Sequence, residues 1–279
     1  MIPQWVMLAV LAGIASNFFG FVSRYALKDD GDSNAWAFLF EFIRLIVFLI
    51  FIFFDFSLKF EFQTFNLLFW VGFTEFISVY LYMQMHKYSH LSISTIISRT
   101  RLIWIPVIAF LFFGEHLKLI EYLGIATLFA GLSIVIAPHK LFIDKGAVYA
   151  NLAAFMIAIN TIMFKLALPY ASNSVILVAF CLPSVILFPP LMKDAQSRII
   201  KEAKKNFLFK ITGIFANVVS TYLFIWALHK GEVSKVNAIY QSMMILSVLA
   251  GIFILKEKQD IFKKLLGSII TIIGVILLT

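Results

Sequence analysis

With 279 residues, 62% of them hydrophobic, 14% charged and 32 of them Phe, the chain is far more apolar than a soluble domain, which is about half apolar and a quarter charged. Water is excluded as its main solvent. The net charge of +8 is scattered between apolar runs instead of forming one stripe, which argues against a nucleic-acid face and for anionic lipid headgroups as the counter-charge. The single cysteine, Cys181, excludes an intramolecular disulfide, a cysteine-based zinc site and a C-x-x-C redox motif.

A bilayer core about 30 Å thick takes about 20 apolar residues per helix. In chain order, the apolar runs predict an all-α integral membrane protein of ten transmembrane helices, at 3–26, 35–54, 65–86, 92–113, 118–137, 146–168, 173–192, 207–228, 234–255 and 261–278. The first run starts near Pro3 with no basic residue ahead of it and no small-residue cleavage signal behind it, so it reads as a retained span and not a signal peptide. The breaks carry the charged, Pro and Gly residues, and none is long enough to link soluble domains. In the longest, KDAQSRIIKEAKKN (193–206), Ile199, Ile200 and Ala203 oppose Lys and Arg, which predicts an amphipathic segment lying at anionic headgroups.

The two halves of the chain repeat each other. YSHLSISTII (88–97) and the run that follows overlay KGEVSKVNAI (230–239) and its own continuation at an offset of 142, pairing Ser92 with Ser234 and Glu115 with Glu257. After one inserted residue, Gly124 and Gly131 match Gly267 and Gly274. Each pair is seven residues apart, on one helix face, where small residues let helices approach closely. Arg24-Tyr-Ala-Leu likewise matches Lys165-Leu-Ala-Leu. Five helices per copy is an odd number, so the second copy enters the membrane inverted.

Gly114-Glu115 closing the fourth helix, Leu123-Gly124 opening a Gly-rich fifth and Asn160-x-x-x-x-Lys165-Leu-Ala-Leu in the sixth, in that order and duplicated, resemble the EamA-type drug/metabolite transporter superfamily over nearly the whole chain. The resemblance implies two EamA-like five-helix repeats, at 1–138 and 145–279, around a central cavity. It also implies a permease without cofactor in the plasma (inner) membrane, carrying amino acids, sugars, nucleotide-sugars, amines or drugs. That family often has a proline about thirteen residues before the glutamate. Here the position is Leu102, preceded by Arg101, and the proline is Pro106, so the family's cavity contacts do not carry over.

Charges near mid-membrane cost a few kcal/mol and usually face the bundle interior. Five stand out: Glu41 and Arg44 in the second helix, Glu75 in the third, and Arg99 and Arg101 in the fourth. Glu41 and Arg44 are about one turn apart and can pair. Arg99 and Arg101, roughly 200° apart on a regular helix, are expected to point different ways, one bracing a neighbour. Arg44 aligns near Pro183, and Arg99 and Arg101 align with Gln241 and Met243. The second half would therefore contribute neutral groups: Asn160, Tyr240 and Gln241.

Two readings stay open for these residues. In one they form a neutralised structural network with interhelical hydrogen bonds. In the other, Arg101, Arg44, Glu41, Glu75, Asn160, Tyr240 and Gln241 contact a small anionic or zwitterionic substrate, with Glu75 or Glu41 carrying a coupling proton. No metal site is expected, since His86 and His90 straddle a helix end without a third ligand. No catalytic residue is expected either: all seven Asp lie in breaks and G-x-S-x-G is absent. A membrane enzyme, or a lipid-flipping subunit acting on a lipid-linked substrate, is the rival to a transporter.

Orientation is in conflict. Of 23 Lys and Arg, Arg44, Arg99 and Arg101 lie deep within spans, and the other twenty, at span ends or in breaks, divide fifteen to five, the larger share on the side opposite the termini. Positive-inside bias then puts both termini outside, whereas the resemblance implies that both are cytoplasmic.

Overall fold

The computed structural model describes residues 3–27, 31–88, 97–136, 145–245 and 261–278. Glu257, Ser92, His90 and the 256–260 break lie outside the described residues, as do the start of the fourth expected span and the end of the ninth. The helices are α1 (Gln4–Leu27), α2 (Ser33–Ile52), α3 (Phe62–Tyr88), α4 (Arg101–Phe113), α5 (Leu119–Ile136), α6 (Lys145–Ala167), α7 (Asn173–Leu187), α8 (Ala195–Lys204), α9 (Phe207–Lys230), α10 (Val233–Ser242) and α11 (Ile261–Leu278). Seven of them, α1, α2, α3, α6, α7, α9 and α11, are long and apolar enough to cross a membrane. Outward-facing Leu111 (71% exposed), Ile186 (60%) and Ile276 (65%) give the bundle an apolar surface suited to lipid contact.

Local chemistry sets the helix ends. Asp32 caps α2, its side chain accepting from the amides of Asn34 and Ala35 at 3.2 Å each. Gly114 ends α4 in the left-handed conformation at φ 63°, which a residue without a Cβ adopts at little cost. Pro106 and Pro183 sit inside α4 and α7, within helix frames that the surrounding bundle holds.

Packing runs across the two halves. α1 lies on α9 and α3 on α6, while α5 faces α11. The α5–α11 seam depends on glycine: a Cβ on Gly131 would come 2.8 Å from the Gly267 carbonyl oxygen and 2.6 Å from the Thr271 amide nitrogen, and one on Gly274 would come 2.8 Å from the Gly124 carbonyl oxygen. Such proximity puts the two backbones nearly in contact.

The bundle has two distinct ends. At the end holding the first described residues, Lys230 donates to Gln4 at 2.5 Å, Leu58 bridges Ala171, and Lys165 reaches the carbonyls of Leu228 and Gly231. At the other, α8 lies across the start of α2. There Arg198 forks onto both carboxylate oxygens of Asp32 at 2.6 and 2.9 Å, and Lys210 pairs with the buried Glu202 at 2.5 Å. The 193–206 stretch is thus an amphipathic helix fastened by ion pairs, with Ile200, Lys201 and Lys204 exposed.

Candidate functional site

Two polar clusters lie inside the bundle. The first is built on α2 and α3. Arg44 Nη1 donates to Glu41 at 2.8 Å along one turn of α2, and to Glu75 of α3 at 3.4 Å, while Nη2 reaches Thr221 of α9 at 3.4 Å. The guanidinium lies over the rings of Phe40 at 4.5 Å and Phe180 at 4.7 Å, and the Cys181 thiol stands beside Glu41. All three charged residues are buried, with Glu41 and Arg44 at 0% and 1% exposure. Two carboxylates therefore share one cation away from water, so the cluster carries one negative charge unless a proton is held there.

The second cluster lies where the chain changes conformation on entering α4. Around Arg99 and Thr100 the hydrogen bonds tighten: Thr100 N donates to Ile97 O, Leu102 N to Arg99 O and Ile103 N to Thr100 O, each a three-residue step at 2.8–3.0 Å. α4 begins only at Arg101, and thirteen residues at 1.5 Å each place it about 20 Å from the Gly114 end. On the other half, α10 stops at Ser242, beside the aligned positions.

The tightened turn changes the expected geometry. Arg99 and Arg101 are electrostatic neighbours of each other, and both lie within electrostatic reach of Tyr82 and Tyr240. Arg99 donates to Gln241 Oε1 at 3.3 Å and to the Met244 thioether at 2.6 Å. Arg101 lies 5.8 Å from the Tyr240 ring, whose hydroxyl donates to Ser16 at 2.6 Å. Among the described residues, no carboxylate pairs with either arginine.

The candidate residues therefore divide. Glu41, Arg44 and Glu75 form one group, and Arg101, Tyr240 and Gln241 form the other with Arg99. Asn160 joins neither: its amide donates to Val71 O at 2.8 Å and Thr74 Oγ1 at 2.9 Å, tying α6 to α3. Sequence reasoning left out Tyr82 and Met244, which only the folded bundle brings to the arginines. It also placed Glu115 only at the close of the fourth helix. In the structure that carboxylate accepts from Val233 N at 2.9 Å and from Ser234 Oγ at 2.9 Å, capping α10 across the two halves. The visible signal was the repeat itself, which matches Ser92 with Ser234 and Glu115 with Glu257. Among the described residues, no three His, Cys, Asp or Glu side chains gather as a metal site.

Comparison with known proteins fits this architecture. No curated protein matches the sequence closely enough to count as a relative. A solved crystal structure superposes with a TM-score of 0.77 at 13% identity, covering 99% of this chain and 96% of that one, a likeness that speaks for the fold alone. The model of the EamA-like transporter family matches twice, over residues 3–137 and 144–279. The chain thus belongs to the EamA-like transporter family and, with it, to the drug/metabolite transporter superfamily of multi-pass integral membrane proteins.

Proposed function

We propose that the chain is a secondary transporter of the plasma membrane. It moves a small polar metabolite, anionic or zwitterionic, by alternating access between two inverted five-helix repeats, 1–138 and 145–279, with ten spans in all. The observation that carries the reading is the Arg99–Gln241 hydrogen bond, which joins positions exactly 142 residues apart, the offset of the repeat. Two repeat-equivalent residues that touch each other sit at the axis relating the repeats. Alternating access requires a substrate site at that place, at the interface of the repeats.

Two further features support an inverted relation. The glycine contacts are crosswise, Gly124 against Gly274 and Gly131 against Gly267, as a twofold axis across an antiparallel pair would produce. Packing exchanges in the same way: α1 on α9 corresponds to α6 on α3, and α1 on α10 to α6 on α4. In this reading Arg99, Arg101, Tyr240 and Gln241 contact the substrate, the Glu41–Arg44–Glu75 group holds the coupling proton, and the exposed lysines of α8 meet anionic headgroups.

Transport by proteoliposomes containing Arg101→Gln tests the proposal. The variant should fold in normal yield and lose uptake of the substrate that the unaltered protein carries. Normal uptake would remove Arg101 from the site, and product formation or lipid scrambling by the unaltered protein would favour the enzyme or flipping alternatives.

A further inference from the structure

The surroundings of Arg99 and Arg101 hold donors without acceptors. The Nε of Arg99, the Nε of Arg101 and the Nε2 of Gln241 are all buried and have no hydrogen-bond partner among the described residues. One turn back on α10, the Nδ2 of Asn237 is also buried without one. The acceptors Arg99 does have are a neutral amide oxygen and a thioether, and a thioether is a weak acceptor. Buried polar groups are ordinarily satisfied, so orphan donors gathered in one place, two of them on guanidinium groups, mark where a ligand's oxygens belong.

Charge narrows the class. Glu41 and Glu75 are both committed to Arg44, and among the described residues no carboxylate pairs with Arg99 or Arg101. The ammonium of a zwitterion would lie beside two cations with no counter-charge. A monoanion would leave one of the two charges uncompensated within the bilayer, where uncompensated charge is costly. Two guanidinium groups whose Nε donors are unpaired among the described residues match an anion carrying two negative charges on oxygen, each fork donating to a pair of oxygens.

We propose that this site binds its substrate as a soluble dianion, a phosphate monoester or a dicarboxylate, and discriminates against zwitterionic amino acids. The assignment rests on the transporter reading above for its biological meaning and on the donor surplus for its chemistry.

Thermal unfolding of the purified full chain in phosphatidylcholine nanodiscs tests it, with glycerol 3-phosphate, succinate, acetate and alanine as probes at matched ionic strength. One or both dianions should raise the unfolding temperature saturably, the two arms separating phosphate from dicarboxylate, while acetate and alanine leave it unchanged. Arg99→Gln and Arg101→Gln should each weaken that binding about tenfold or more, the loss expected for a charge-assisted hydrogen bond. Arg101→Lys, which keeps the charge, should bind better than Arg101→Gln and guards against a glutamine variant that fails to fold. Stabilisation by alanine or acetate as strong as by the dianions, lack of response to every probe, or dianion binding indifferent to both arginines would each overturn the proposal. Arg-dependent dianion binding without uptake into proteoliposomes would support the site and overturn the transporter reading instead.

Discussion

Arg44 holds two carboxylates at once, so its removal and theirs have unequal consequences. Arg44→Met leaves Glu41 and Glu75 buried without a cation, and thermal unfolding should register a loss of about 3–5 kcal/mol. Glu75→Gln leaves a neutral Glu41–Arg44 pair and should cost far less, while removing the pH dependence of transport if Glu75 carries the proton. A Glu75→Gln protein that transports with unchanged pH dependence would confine the group to a structural role. Asn160→Ala breaks the tie between α6 and α3 and should cost about 1 kcal/mol. Once folded, that variant should show unchanged substrate affinity. At this scale the sequence reveals what is local. The Glu41–Arg44 pair follows from a three-residue spacing, but nothing in the chain says that Glu75 completes it. The tightened turn at Arg99 and Thr100 is likewise something that apolar periodicity does not encode.

Helix seams and caps supply the next tests. Gly131→Ala would press a Cβ to 2.6 Å from a backbone nitrogen of α11, and Gly274→Ala would do the same to Leu128 of α5. Backbone does not yield as a flexible side chain does, so each should destabilise by about 1–3 kcal/mol. Gly20→Ala, whose Cβ would have nothing nearer than the Tyr82 hydroxyl at 3.9 Å, should be neutral or gain up to about 1 kcal/mol from helix propensity.

The clasp between α2 and α8 predicts a pH effect. Burial disfavours the charge of Asp32, but the Arg198 guanidinium and the Ala35 and Asn34 amides more than offset it, holding the carboxyl below its usual 3.8. A lowered value means stability that is complete above 3.8 and is lost as pH falls through the folded-state value. Because Arg198 is 37% exposed, the gain should stay below about 1 kcal/mol. Asp32→Asn keeps the helix cap, so its deficit in unfolding temperature at neutral pH should fade under acid. A deficit that persisted there would assign the effect to something other than the charge. The glycine spacing was legible as a close-packing signal, whereas which helix met it was not. α8 was legible as amphipathic, but the Arg198–Asp32 pair that fastens it brings together residues 166 positions apart.

Orientation belongs to the whole molecule, and the two ends now have defined faces. Lys201 is exposed on α8 at one end, and Lys118 is exposed between α4 and α5 at the other. On the ten-span reading, the fifteen-to-five excess of Lys and Arg falls on the α8 side. The positive-inside rule counts Lys and Arg and gives acidic residues little weight, so the pairing of Arg198 with Asp32 and of Lys210 with Glu202 does not dilute that excess. The native thiol adds no background, since Cys181 is fully buried. Lys201→Cys should therefore be shielded from an impermeant thiol reagent in intact cells and react after permeabilisation. Lys118→Cys should react in intact cells. The reverse labelling pattern would place the termini in the cytoplasm, as the family resemblance implies, and leave the basic α8 face meeting the outer leaflet.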